Sequence, residues 1–298
     1  MAVEGTVIRG HGKSFIVRCQ DRELFCEIRG KLKFIARATT PVAVGDNVTV
    51  TLNPDGTGII ESVAERATMF CRPAKGLIGK RQILAANLDQ LAVVGSTANP
   101  ALKTGLLDRF IIAAEMGNLK PIVIINKIDL ERPAILIDLE RGYRAINVPI
   151  FFVSAKTGEG CDNLLDILKN HNTLLGGHSG VGKSALLNRL IPGLNIRTGE
   201  ISVSTDRGIH TTTHIELFAL PQGGYVADSP GLKVMGFIEI DKERLDSYYP
   251  EMHPYLEKCR FAGCAHMEEP GCAVKEAVEK GEIPEFRYQS YLSIRQSL

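Results

Sequence analysis

The chain has 298 residues, 44% of them hydrophobic and 23% charged, with a formal net charge of +1. That is an ordinary soluble, globular composition, long enough for two or three domains, and its overall charge gives no sign of a polyanionic partner. The N-terminus MAVEGTVIRG has no apolar signal core, and no apolar run approaches the roughly 18 residues that a membrane span needs.

Charge is uneven along the chain. Residues 1–40 hold eight Lys or Arg against four acids, and 66–81 hold five basic residues and no acid. Residues 236–298 lean the other way, with twelve acids and eight bases. A basic front and an acidic tail fit a partner with a polyanionic face. The seven cysteines are an odd number, and Cys19, Cys26, Cys71 and Cys161 are scattered. This argues against a disulfide framework and for a reducing, cytoplasmic setting.

In chain order, residues 1–65 read as short strands at 5–9, 14–19, 23–29, 48–52 and 58–62, each bounded by Gly, Asn or Asp. Five short strands suit an OB-fold, with an SH3-like barrel or a plain β-subdomain as alternatives. Arg9, Lys13, Arg18, Arg22 and Arg29 with Phe15, Phe25 and Phe34 would suit RNA backbone and base stacking. For the phenylalanines, the expectation is that they fill the barrel core.

From about residue 66 the pattern changes. Continuous apolar runs at 91–95, 122–125 and 150–153 predict strands buried on both faces, as in a parallel sheet. Leu106, Leu107, Phe110, Ile111 and Ala114 recur at helical spacing, and 162–169 and 183–190 read as further helices. Alternating β and α elements over 66–235 predict a doubly wound α/β domain.

Five nucleotide-handling motifs lie on this domain. Gly177-His178-Ser179-Gly180-Val181-Gly182-Lys183-Ser184 fits G-x-x-x-x-G-K-[ST] between a short apolar strand at 173–175 and the helix that includes Ala185. Its glycines would turn backbone N–H groups toward phosphate, beside the positive end of a helix dipole. Lys183 would reach the β- and γ-phosphates, and the Ser184 hydroxyl would ligate Mg²⁺. Asn126-Lys127-Ile128-Asp129 follows an apolar strand. The Asp129 carboxylate can accept from guanine N1 and N2 together, Lys127 would lie along the base, and Asn126 would tie this loop to the phosphate loop. Ser154-Ala155-Lys156, at another strand end, would meet guanine O6 through its backbone. Asp228-Ser229-Pro230-Gly231 ends a strand at 225–227, so that Asp228 would hold Mg²⁺ through water and the Gly231 N–H would sense the γ-phosphate. Thr211 or Thr212 would be the switch threonine on Mg²⁺, in a loop before a strand at 214–220.

Two features depart from an ordinary GTPase. The base-reading motifs precede the phosphate loop, the order of a circular permutation. The position after Gly231, where a water-orienting Gln is expected, is Leu232. His210 could supply that function, with His214 as a competitor.

Near the C-terminus, Cys259, Cys264, His266 and Cys272 form C-x4-C-x-H-x5-C amid Gly263, Pro270 and Gly271. Three thiolates and an imidazole make a closed structural zinc set, against the alternative of reduced, buried thiols. Region 236–298 is short of apolar residues for an independent core, which favours a metal staple.

With its permuted order, N-terminal barrel and Cys-Cys-His-Cys tail, the chain resembles the ribosome small subunit-dependent GTPases, the RsgA/YjeQ family. The resemblance covers nearly the whole chain. It is carried by Asn87-Leu88-Asp89, Leu106-Leu107-Asp108-Arg109-Phe110, residues 179–184, His210-Thr211-Thr212 and residues 258–266. It implies an OB-fold over 1–65, a permuted GTPase core over 66–235 and a zinc domain with a C-terminal helix over 236–298. It further implies GTP and Mg²⁺ at the core and GTP hydrolysis in late maturation of the small subunit, stimulated by that subunit. The subunit, its rRNA and assembly factors bound there would be the partners, and a monomer is expected. The family's proposed catalytic histidine matches His210. Ile209 stands where the family often has Lys or Arg, and His178 where Gln or Asn is common; neither removes a needed ligand.

Overall fold

A computed structural model describes residues 2–11, 14–30, 32, 40–73, 81–196, 215–228 and 240–298. The first element, β1 (Ala2–His11), pairs antiparallel with β2 (Ser14–Cys19), and β2 with β3 (Arg22–Ile28). β3 then runs parallel to β5 (Gly58–Val63), β5 pairs with β4 (Asn47–Leu52), and β4 closes back on β1. Closure in the order β1-β2-β3-β5-β4-β1 is the five-stranded barrel of an OB-fold. Period-two alternation sends Phe15, Val17 and Cys19 of β2 inward with Cys26, Val48, Val50 and Ile60.

The phenylalanines divide. Phe15 is core, whereas Phe25 is 47% exposed, contrary to the core placement that the sequence suggested. The cause is register: Cys26 points inward, so its neighbour Phe25 faces outward, opposite Ile16 of β2. Phe34 and Lys13 lie outside the described residues.

A hairpin of β6 (Met69–Pro73) and β7 (Arg81–Ala86) follows the barrel, an element the sequence reading did not foresee. It is held to the barrel by a bridge from Val44 to Ala85. Nearby, the fully buried Asp46 carboxylate accepts from Arg66 Nε at 2.6 Å, Arg66 Nη2 at 2.7 Å and the Ala43 N–H at 2.7 Å.

Six strands form the GTPase part of the same eleven-stranded sheet, in the order β10 (Ile150–Phe152), β9 (Lys120–Asn126), β8 (Gln90–Ser96), β11 (His171–Gly176), β13 (Gly224–Asp228), β12 (Glu216–Ala219). All pairings are parallel except that of β12 with β13. Every residue of β8 is buried, as its unbroken apolar run predicts for a strand covered on both faces. The helices α1 (Thr104–Met116), α2 (Ile135–Ala145), α3 (Cys161–Leu168) and α4 (Lys183–Leu190) cover the sheet. Their buried side chains join two clusters on its opposite faces, one with Leu107, Phe110 and Tyr143, the other with Leu164, Leu186 and Leu187.

The C-terminal segment has two 3₁₀ turns (Lys242–Tyr248 and Pro250–Met252), then α5 (His253–Leu256), α6 (Ala273–Glu279) and α7 (Glu285–Ser297). It has more core than its composition suggested: Ile240, Leu245, Tyr249, Met252, Val274, Ile283 and Ile294 cluster. That cluster is completed from outside by Ile112 of α1. α7 approaches α1 closely at Gly105, where an added Cβ would lie 3.6 Å from the Ser293 hydroxyl. Beside this contact lies Arg287, a fully buried cation that pairs with Asp108 of α1 and, at 2.5 Å, with Glu251. Its guanidinium also stacks 4.5 Å from the Tyr249 ring centroid, and Tyr143 donates to Asp108 at 2.9 Å.

Candidate nucleotide site and metal centre

Three loops meet at the C-terminal ends of β9, β10 and β11, where open α/β sheets bind ligands. The phosphate loop leaves β11 and enters α4. Gly177 has φ of 132° and lies so close to β8 that a Cβ would sit 2.3 Å from the Val94 carbonyl oxygen. Gly182 has φ of 96°, and a Cβ there would lie 2.3 Å from Asn126 Nδ2. Only glycine leaves room for both approaches.

Asn126 is the knot between the loops. Its side chain donates to the Val181 carbonyl at 2.9 Å and accepts from the Ala155 N–H at 3.0 Å. Both partners are backbone groups, and Asn126 itself is buried. Lys127, at φ 66°, extends its ammonium to the carbonyls of Gly180, at 2.7 Å, and Asn99. Ser154 donates to Asp129 at 2.7 Å while accepting from the Thr157 N–H at 3.1 Å. This fixes the orientation of a carboxylate that otherwise stands exposed at the loop edge.

Two supports escaped sequence reasoning. Thr97 at the end of β8 donates its hydroxyl to the Lys127 carbonyl at 2.8 Å and its N–H to the Asn126 carbonyl at 3.1 Å. Arg189 of α4 donates to the carbonyls of Ala155 at 3.1 Å and Lys156 at 2.6 Å. An arginine in the last turn of the helix, two residues before Ile191-Pro192, reads locally only as a favourable dipole partner.

At the phosphate end, Lys183 curls over its own loop and donates to the carbonyls of Gly177 at 2.8 Å and His178 at 3.0 Å. Burial pushes its ammonium below the ordinary lysine value, while Asp228 pulls it back up. Asp228 is 4% exposed at the end of β13, in register with Leu175 of β11 and Glu216 of β12. Ser184 and Ala185 occupy the first turn of α4 and are half-buried; Ser179 and Gly180 are exposed. His178 turns its Nδ1 back to the Ser179 carbonyl at 2.7 Å. His210, Thr211, Thr212 and Gly231 lie outside the described residues, as do Ile209, His214 and Leu232.

At the other end of the chain, the ligand atoms of Cys259, Cys264, His266 and Cys272 lie within 4.8 Å of one another. His266 Nδ1 is 3.6 Å from Cys259 Sγ and 3.4 Å from Cys272 Sγ. Zn–S bonds of about 2.3 Å would set tetrahedral sulfur atoms roughly 3.8 Å apart, so this cluster fits such an ion. Burial, with added repulsion from Cys272 and Cys259, pushes the Cys264 thiol up to about 12. That arrangement of thiols favours a cation at its centre. His266 turns its other nitrogen toward Asp246 at 3.7 Å, where an outer carboxylate could orient the imidazole of a metal site. Tyr288 and Tyr291 donate to the carbonyls of His266 and Ala265 at 2.7 and 2.9 Å, and Glu269 accepts from the N–H groups of Ala265 and Met267, both at 2.8 Å. The set could hold a metal ion. No helix among the described residues is long and apolar enough to cross a membrane.

The sheet order, the phosphate loop on its central strand β11 and the base-reading loops on strands that precede β11 in sequence define a circularly permuted GTPase joined to an N-terminal OB barrel. Residues 63–238 match the RsgA GTPase family, and the chain belongs to it. It is 41% identical to the small ribosomal subunit biogenesis GTPase RsgA of Bacteroides fragilis over 98% of this chain and 96% of that one. A protein of the same name from Gemmatimonas aurantiaca is 39% identical over 99% and 97%. Among solved structures, YjeQ from Thermotoga maritima superposes with a TM-score of 0.78 at 34% identity over 100% and 99% of the two chains. YloQ, described as a circularly permuted GTPase, superposes with a TM-score of 0.70 at 29% identity over 99% and 94%. The chain is a GTPase.

Proposed function

We propose that this GTPase couples GTP hydrolysis to late maturation of the small ribosomal subunit in the cytoplasm, as a monomer stimulated by that subunit. The observation that carries the reading is the near-full-length match to proteins named for small-subunit biogenesis, on a chain whose base-reading loops are already tied together. Three units divide the work: a barrel over 1–65, a GTPase core over 66–235 and a zinc module over 236–298, with the first and last contacting rRNA and assembly factors bound there.

Within the core, Asp129 pairs with guanine, and Ala155 and Lys156 offer backbone to its O6. The loop 177–184 wraps the phosphates, Lys183 trades its two carbonyl partners for phosphate oxygens, and Gly231 senses the γ-phosphate. Ser184, Asp228 and Thr212 hold the Mg²⁺ that accompanies GTP, with Thr211 as the alternative threonine. His210 orients the attacking water, since Leu232 cannot. Cys259, Cys264, His266 and Cys272 hold one structural zinc. Supporting the core assignments are the Asp129 carboxylate held by Ser154 and the upward pull of Asp228 on the Lys183 ammonium.

The test is GTP turnover alone and with purified small subunits, large subunits or free rRNA. Acceleration by small subunits only is expected, and equal rates under all four conditions would remove the ribosomal assignment. His210→Ala should lower the stimulated rate by about 10²–10⁴-fold and leave GTP affinity intact. An unchanged stimulated rate would take His210 out of the mechanism.

A further inference from the structure

The barrel and the GTPase sheet are one hydrogen-bonded sheet, and the joint falls at the nucleotide site. β1 has two halves. Ala2 to Thr6 pair with β4 and close the barrel, whereas Arg9 pairs with Glu216 at the start of β12. Between them the register against β2 shifts between Val7 and Arg9, the signature of a bulge. A bulge bends a strand and strengthens its twist, which lets one strand serve two sheets.

The joint is also a charge contact. Arg9 and Glu216 form an ion pair across it, with their side chains 38% and 30% exposed. Glu216 lies opposite Asp228 in the β12–β13 register. Directly opposed residues of an antiparallel pair present their side chains on one face, and like charges there repel. Arg9 therefore offsets the charge of a carboxylate that lies opposite Asp228. The barrel holds β13 as well: Arg18 of β2 donates to the Tyr225 hydroxyl at 2.8 Å and stacks 5.5 Å from its ring centroid, three residues before Asp228. In sequence, Glu216 follows Thr211 and Thr212 by five and four positions. The barrel thus grips the two strands that lead from and into the nucleotide-sensing segments.

We infer that Arg9 and Glu216 are positioning residues for GTP hydrolysis, through which an RNA-bound barrel sets the placement of β12 beside Asp228. The effect on stimulated turnover rests on the functional reading above; the joint itself does not. The first test is amide hydrogen exchange on the full chain with GDP or a non-hydrolysable GTP analogue. Exchange in β1 should differ between the two nucleotides, and Arg9→Ala should abolish that difference while both nucleotides still bind with wild-type affinity. Identical β1 exchange in the wild-type protein, or a difference that survives Arg9→Ala, overturns the inference whatever the ribosome does.

The second test is a double-mutant cycle on turnover with small subunits. Arg9→Ala and Glu216→Ala should each lower stimulated kcat about fivefold or more with KM near wild type, and the double variant should be no worse than either. Additive losses, or losses confined to KM, count against the pair. Absence of any stimulation of the wild-type protein would defeat the ribosomal reading and leave the exchange result to decide the joint.

Discussion

The nucleotide site and the C-terminal module reach their geometry by opposite routes. Around the phosphate loop the partners of Asn126, Lys127, Lys183 and Arg189 are backbone groups of the loops that follow the strands, held in place by a parallel sheet buried on both faces. In the C-terminal module the elements are short. Before α7 no helical element among the described residues exceeds seven residues, and a small apolar core is tied together by two polar anchors, the Cys-His cluster and the buried Arg287. A site built on sheet ends spreads its cost over many bonds. A module built on a few polar side chains concentrates it, so single changes there should do the most damage.

Metal removal tests this contrast hardest. Structural zinc contributes on the order of 10 kcal/mol of folding free energy in small modules. Chelation or Cys272→Ala should therefore release about one zinc per chain and unfold residues 240–298, followed by metal analysis and circular dichroism. GTP affinity should be largely kept, and a parallel fall in GTP affinity would show that the regions are not independent. Acid should act in the same direction, because protons compete with a metal for the thiols, among them Cys264, which burial pushes up to about 12.

Next in size is Arg287→Met. It leaves Asp108 and Glu251 without their cation, and breaking one side of a buried pair costs about 3–5 kcal/mol. Denaturant unfolding at neutral pH should show that loss. Burial raises the Asp108 carboxyl above its ordinary value, against the pull of Arg287. A raised folded value means that the protonated carboxyl is the form the fold prefers, a contribution lost as pH rises through that value. The deficit of Arg287→Met should accordingly be largest at neutral pH and shrink on acidification. A deficit independent of pH would mean that packing, not charge, is what Arg287 supplies.

How much of this was readable in the sequence follows the same division. The strand ends and the phosphate loop were legible because unbroken apolar runs and glycine spacing are local signals. The four metal-site residues were legible because they fall within fourteen positions. The parallel pairing of β3 with β5, the outward turn of Phe25 and the joint at Arg9 were not, because register between distant strands leaves no local mark. Asp108 and Arg287 were equally hidden: one lies in a helical repeat and the other near the C-terminus, and only the docking of α7 on α1 makes them partners. The C-terminal core was underestimated because its apolar residues are scattered over several short elements and only the fold gathers them, with Ile112 added from α1.

On the nucleotide side the effects should be smaller and confined to binding. Asp129→Asn keeps the shape but replaces one acceptor oxygen with a donor group facing the donors of guanine. An unmatched polar pair of this kind costs about 3 kcal/mol, or roughly 10²-fold in GTP affinity, with little change in stability. Because the amide presents a donor beside an acceptor, the variant should lose less against a base that carries a carbonyl in place of the guanine amino group. Equal losses for both bases would place Asp129 outside the base contact.

The smallest effect should come from Ser154→Ala, and it separates holding the base from holding the holder. Ser154 bonds Asp129 and the Thr157 N–H, so its proposed part in recognition is to fix the carboxylate's direction. A hydrogen bond to a charged group contributes about 1.5–3 kcal/mol, but Asp129 is exposed and water can replace part of it. The expected loss is therefore about 1 kcal/mol, near fivefold in GTP Kd by calorimetry, with the same loss for GDP because neither partner faces the phosphates. Combined with Asp129→Asn, Ser154→Ala should add little, since the carboxylate it orients is already gone. A full additive loss would mean that Ser154 acts on the loop backbone through Thr157 and not through the Asp129 carboxylate.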